Sequence, residues 1–219
     1  MAPSGRGHRG VGGLGNRCAI VGALMLPPIL QRLEYLGHRV FDGGHAYNLN
    51  IVGIRAHETR AGSFDDLITV TYRQVKNGPW ITEHYQATTD PSAYWLNNPM
   101  AYGGTAILKT GQWRGCFELG KHRGQYEALT QAKPVTVHRD NTLDDILDFT
   151  TETAHGLFGI NIHRAGERST QVGKWSAGCQ VIAAARDFQQ FMDLAHAQID
   201  SHPSWPSRFT YTLIKDWMT

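Results

Sequence analysis

Leu67-Ile-Thr-Val-Thr-Tyr-Arg-Gln74, Lys76-Asn77-Gly78-Pro79 and Trp80-Ile-Thr-Glu-His-Tyr-Gln-Ala-Thr88 read in order as a strand, a turn and a returning strand. β-Branched and aromatic side chains at every second position suit a pleated surface with one buried face, and Asn-Gly supplies the chemistry of a tight reversal. The stretch is a β-hairpin by pattern.

The same period of two extends to either side. Leu49–Ile54 reads as an upstream strand. Downstream strands are expected at Thr105–Leu108, Cys116–Leu119, Pro134–His138, Leu157–His163, Cys179–Ala183 and Phe209–Ile214, with glycine-rich breaks ahead of the first two. Two segments switch to helical spacing. Ile29, Leu30, Leu33 and Leu36 follow Pro27-Pro28 and stop at Gly37, and Phe188, Phe191, Met192, Ala195 and Ile199 fall on one face of Asp187–Ile199. The fold class is therefore mostly β (α+β), one domain over 26–219 with a helix near each end. The connection Ala87–Gly104 is longer than usual and carries Tyr94, Trp95 and Tyr102. Those aromatics either wall a substrate groove or pin the loop to the core.

Composition excludes several classes. The chain has 219 residues, 41% hydrophobic and 18% charged, which is ordinary for a globular protein. A net charge of +2 gives no basis for nucleic-acid binding. Three cysteines (Cys18, Cys116, Cys179) leave one unpaired and exclude a disulfide scaffold. The 11 histidines make no zinc spacing with them, so neither a metal nor another cofactor is expected. Residues 1–25 begin glycine-rich and basic and continue into the short apolar run Cys18–Leu26. The run is far below the ~20 apolar residues of a membrane span, and it lacks a clean small-residue cleavage site. A disordered tail leading into the first helix is expected there, rather than a secretory signal.

The chemistry is expected in the last third of the chain. Gly159-Ile-Asn-Ile-His163-Arg164 ends an alternating run, and Trp175-Ser-Ala-Gly-Cys179-Gln-Val-Ile places a cysteine after a turn of small residues. A cysteine attacks as thiolate and needs a base or a positive neighbour, a role open to His163 once strand pairing brings the two together. Alternation puts Phe158, Ile160 and Ile162 on the buried face and Gly159, Asn161 and His163 on the polar one. Ser176-Ala-Gly178 is small enough for a substrate carbonyl to approach, with the amides of Gly178 and Cys179 directed at a developing oxyanion. Cys116 is the second candidate nucleophile, although Arg114-Gly-Cys-Phe-Glu-Leu reads as a strand entering the core.

His163, an intervening loop, then Ser176-Ala-Gly178-Cys179 resembles the catalytic signature of L,D-transpeptidases of the YkuD type. The resemblance implies a β-rich sandwich or barrel holding a cysteine–histidine pair. Cys179 is then the nucleophile, His163 its base, Gly178 and Cys179 the oxyanion amides, and Ser176 a turn-shaping residue. It also implies peptidoglycan stem peptides as partner, a thioester acyl-enzyme, and action at the cell wall or periplasm. Three positions depart from the family pattern: Ala177 replaces its second histidine, Val181 its arginine, and Arg164 the glycine after the base. Arg164 or Arg123 is the candidate replacement charge for a stem-peptide carboxylate. Trp175, His122 and Tyr102 are the further candidate substrate contacts. A divergent motif without a convincing export signal favours a hydrolase of the phage-lysis type, released after cytoplasmic synthesis, over a wall-crosslinking enzyme. A wall-binding or structural protein with an inert Cys179 is the alternative outside enzymology. A sortase-like arrangement would need an arginine on a strand after the cysteine, where only Arg186 is near.

Overall fold

A computed structural model describes residues 25–216. Among them are eleven strands and three helices. In chain order these are α1 (Pro28–Tyr35), β1 (Asn50–Arg55), β2 (Asp66–Arg73), β3 (Trp80–Thr88), α2 (Ala93–Asn97), β4 (Thr105–Leu108), β5 (Gly111–His122) and β6 (Tyr126–Gln131). β7 (Val135–Asp140), β8 (Thr153–Gly156), β9 (Ile162–Arg164), β10 (Gln180–Ile182), α3 (Ala185–Ser201) and β11 (Phe209–Lys215) complete them. The tail expectation for residues 1–25, and Cys18 with it, lies outside the described residues except for Met25. No helix among the described residues is long and apolar enough to cross a membrane.

The protein is mostly β, as its sequence indicates. Eight strands close a barrel in the order β1-β11-β5-β6-β9-β10-β3-β2, and β4-β7-β8 form a second, three-stranded sheet. The hairpin is β2–β3, in register from Asp66 opposite Ala87 to Arg73 opposite Trp80. Asn77 takes the positive φ of its turn, and the Arg73 guanidinium covers the Trp80 ring at 4.1 Å. The pairs β1/β11 and β9/β10 are parallel.

Side-chain alternation sorts the core. In β1, Ile51 joins the main core, while Val52 and Ile54 face Leu30 and Leu33 of α1. Phe188, Phe191 and Met192 of α3 join Phe117, Leu129 and Tyr211 in the barrel core. Ala106 and Leu108 of β4 share that core, which ties the small sheet to the barrel.

Four expectations change. β5 runs through 12 residues rather than only Cys116–Leu119, because its glycines are absorbed instead of breaking it. Gly115 sits at φ +56, near a register shift against β11, and Gly120 lies close against the Thr130 side chain, where a larger residue would collide. β6 and β8 had no clear pattern in the sequence. The expected strand Leu157–His163 shrinks to β9, because Gly159 adopts φ +71 and the Gln131 side chain replaces a partner strand by accepting the Phe158 and Ile160 amides, each at 3.0 Å. The long connection from Ala87 holds the end of β3 and the short helix α2, whose first turn is capped by Ser92.

Candidate active site

Parallel pairing of β9 with β10 closes the separation between histidine and cysteine. Ile162 lies opposite Gln180, and His163 opposite Val181. Cys179 therefore stands at the mouth of β10, beside the segment that enters β9. The turn before it is held by Ser176, whose hydroxyl donates to the Cys179 carbonyl (2.8 Å) and accepts the Gly178 amide (3.2 Å). Gly178 has φ +121 and lies against the Ala106 carbonyl, so no side chain fits there. Replacement of Gly178 by alanine is expected to cost about 1–3 kcal/mol in urea unfolding, from the collision alone. The same bonding corrects the oxyanion expectation. The Gly178 amide is already spent on Ser176, which leaves the Cys179 amide as the backbone donor available to a substrate oxygen.

Hydrogen bonds fix the tautomer of each ring. His163 Nδ1 lies 2.8 Å from the Arg164 carbonyl, and the Tyr126 hydroxyl lies 3.2 Å from both. A carbonyl only accepts, so Nδ1 carries the proton and Nε2 presents a lone pair. That Nε2 is buried and has no hydrogen-bond partner. Asn161 organises the other side. Its Oδ1 accepts the Gln131 amide (3.0 Å), so its Nδ2 donates to His122 Nδ1 (3.1 Å), and His122 is protonated at Nε2. The Asn161 amide points at the Cys179 sulfur at 3.5 Å, and that thiol donates to the Gly159 carbonyl at 3.5 Å.

One donor atom from each of His122, His163 and Cys179 lies within 4.8 Å of the others. This is a metal-type donor set that the spacing of the histidines in sequence did not disclose. The two rings, however, are stacked face to face, with centroids 3.9 Å apart and planes 23° from parallel. Ring nitrogens bind zinc in the ring plane at about 2.0–2.1 Å, so a shared ion would require the rings to swing apart and His122 to give up the Asn161 bond. The arrangement suits proton transfer between His163 and the thiol.

Burial governs the electrostatics. It lowers the His163 pKa to about 3, with the neighbouring His122 and Arg123 adding to the effect and the bond to the Arg164 carbonyl opposing it. Burial also pushes the Cys179 thiol up, against the Asn161 amide and the charge of Arg123. The depressed thiol pKa expected of a reactive cysteine is therefore not the resting state. The pair rests as neutral thiol and neutral imidazole. Transfer of the proton from Cys179 to His163 creates opposite charges on neighbouring side chains, which offsets part of their desolvation.

The remaining predicted residues separate clearly. His163 is buried (1% exposed) rather than on a polar face, and His122 is buried against it. Arg123 sits exposed at the β5–β6 turn with φ +51 and acts on the site through its charge alone. Arg164 lies over the Tyr126 ring at 4.6 Å and donates to the Ala165 carbonyl, which makes it a packing residue. Tyr102 stands fully in solvent, and Trp175 is 42% exposed. The aromatic of the long connection that borders the site is Trp95, anchored by its indole N–H to the Lys174 carbonyl (3.1 Å). Trp95, Ala106, Phe158 and Ala177 line a cavity of about 220 Å³ on that side. Cys116 is buried in the barrel core, its thiol pushed up by burial and its Sγ 3.6 Å from the Arg114 carbonyl. Arg186 is on the first turn of α3, not on a strand.

A buried polar network supports the turn from beneath. Gln180 donates to the Gly178 carbonyl (3.3 Å) and the Thr89 carbonyl (3.2 Å), and accepts the Tyr211 hydroxyl (2.8 Å). Gly53 leaves room for that hydroxyl. Arg55 holds Thr89, the Leu108 carbonyl and Asp90, and the Ser92 amide then donates to the Ser176 carbonyl (2.9 Å). Asn161, Tyr126 and Gln180 escaped the sequence reading. Asn161 carried one usable signal, a polar residue two places before His163, whereas Tyr126 arrives on a hairpin with no motif.

Comparison with protein families, with curated proteins and with solved structures finds no match.

Proposed function

We propose that the protein is a cysteine-dependent enzyme acting on peptidoglycan stem peptides, with a barrel of the L,D-transpeptidase type. The observation that carries the reading is the partnerless, buried lone pair of His163 Nε2, in a ring whose donor atom lies within 4.8 Å of the Cys179 sulfur while Nδ1 is tied to a backbone carbonyl. A general base needs that tautomer, and the gap to the sulfur closes to hydrogen-bond distance when substrate binds.

In the proposed reaction the Cys179 sulfur attacks the carbonyl of a diaminopimelate-type residue as its proton moves to His163 Nε2. The Cys179 amide donates to the oxyanion. The carbon–nitrogen bond to D-alanine breaks, the amine takes the proton from His163, and a thioester remains. Water then releases the acid, or an amine forms a crosslink. Hydrolysis is the favoured outcome, because Ala177 and the fully buried Val181 leave no polar side chain at two positions where the crosslinking pattern has them. Action at the cell wall follows from this substrate.

The raised thiol pKa favours one other reading, a wall-binding protein in which Cys179 is inert. Mass spectrometry of muropeptides incubated with the protein, beside heat-denatured protein, separates the possibilities. Loss of terminal D-alanine or opening of crosslinks identifies a hydrolase, and new crosslinked stems identify a transpeptidase. Unchanged muropeptides across several wall chemotypes would sink the enzymatic reading.

A further inference from the structure

The cavity beside Cys179 contains a cation that the mechanism above does not use. Its walls come from three segments that also bracket the thiol: Ala106 next to Gly178, Phe158 next to Gly159, and Ala177 in the turn itself. Trp95 and Met100 close the far side, and Arg139 reaches in from β7. The lining includes no acidic residue. The Arg139 guanidinium lies 5.8 Å from the Phe158 ring centre, and its side chain makes no ion pair or hydrogen bond among the described residues. The two arginines that the sequence suggests for a carboxylate are engaged or exposed elsewhere: Arg164 lies on Tyr126, and Arg123 is at the β5–β6 turn.

A planar cation without a counter-ion, set against an aromatic ring in a small cavity, fits a carboxylate bound through two parallel hydrogen bonds. The cavity of about 220 Å³, narrowed by Ala106 and Ala177, is sized for a small residue, and a lone cation in it suits a residue that ends in a free carboxylate. We infer that this cavity is a subsite for a small C-terminal residue, with Arg139 holding its free carboxylate. The inference rests on Cys179 being the nucleophile, and it deepens that reading: the protein is an exo-acting carboxypeptidase that removes a terminal residue, not an endopeptidase that opens crosslinks. Arg139 is its specificity-determining residue.

The test uses N-acetyl-D-alanine and N-acetyl-D-alaninamide as probes, titrated into the full chain with the tryptophan indole N–H resonances followed by NMR. The acid is expected to bind on the order of tenfold more tightly than the amide, the worth of a charged hydrogen-bond pair. Arg139→Gln removes that preference, and Arg139→Lys keeps only part of it. Equal binding of acid and amide, no response to either, or an acid preference that survives in Arg139→Gln overturns the subsite. The acid-to-amide comparison on the unaltered protein stands even where a variant fails to fold. A parallel turnover assay on a free-acid stem tetrapeptide and its C-terminal amide distinguishes the two levels. Acid-selective, Arg139-dependent binding without turnover supports the subsite and removes the enzymatic reading. Turnover of acid and amide at equal rates does the reverse.

Discussion

Cys179→Ala is expected to abolish release of D-alanine from a stem tetrapeptide, and His163→Ala to lower kcat/KM by about 10²–10⁴-fold. Cys179 precedes β10, whereas His163 is the buried middle residue of β9, so its replacement keeps the backbone pairing with Val181 but removes its packing on His122. Circular dichroism checks that each variant keeps the barrel. The cysteine variant loses the atom proposed to form the acyl bond, whereas the histidine variant keeps a thiol that must shed its proton to water. The pH dependence follows from the same geometry. The His163 pKa is lowered to about 3, below the 6.5 of a free imidazole, so the base stays neutral through the mildly acidic range. The acid limb of kcat/KM should therefore fall near that lower value and not near 6.5. The stability consequence has a definite sign. The unfolded chain takes up the proton first, so His163 makes the fold less stable as pH drops from 6.5 towards 3.

Arg55→Leu is expected to cost about 3–5 kcal/mol in urea unfolding, the penalty for stripping one partner from a buried ion pair. Arg55 is 2% exposed, and its Nε lies 2.7 Å from the Asp90 carboxylate. The same Nε also reaches the Thr89 hydroxyl, and the two terminal nitrogens donate to the Leu108 and Thr89 carbonyls. Removing it leaves Asp90 buried without a counter-ion and takes one donor each from the Leu108 and Thr89 carbonyls, the latter keeping Gln180. Burial already pushes the Asp90 pKa up to about 7 while Arg55 pulls it down. Without that pull the carboxyl holds its proton further, and the unfolded chain releases its own near 3.8. Stability of the variant should then decline as pH rises from that value through neutrality, the opposite slope to that of His163. Arg55→Leu combined with Asp90→Leu should recover much of the loss, because apolar replacement of a whole buried pair is often neutral.

Pattern disclosed those parts of the fold in which neighbouring residues decide the outcome. The β2–β3 hairpin, α1, α3 and β11 each carry their own periodicity and boundary residues within a single segment. Elements that depend on distant partners were hidden. β6 is mixed in composition and gains its strand state from pairing with β5. β5 keeps its glycines because β11 shifts register and β6 packs closely there. The segment before β9 looks like a strand, yet Gln131 takes its amides from the side.

The candidate site divides along the same line. Cys179, His163 and Ser176 lie on two adjacent segments, and the structure places all three together. His122 reads from the sequence as a substrate contact but stacks on His163, since a hairpin well upstream delivers it. Asn161 reads only as a polar-face position, although its backbone and side chain reach both Cys179 and His122. Arg139 lies on a strand whose sheet is separate from the barrel, and the packing of β4 against Gly178 helps bring that sheet to the thiol.

Intact-protein mass spectrometry after brief incubation with a stem tetrapeptide tests the nucleophile most directly. A thioester on Cys179 adds the mass of the acyl tripeptide, is removed by hydroxylamine, and is absent from Cys179→Ala. Cleavage of the peptide with no adduct at Cys179, and retained by Cys179→Ala, would contradict it.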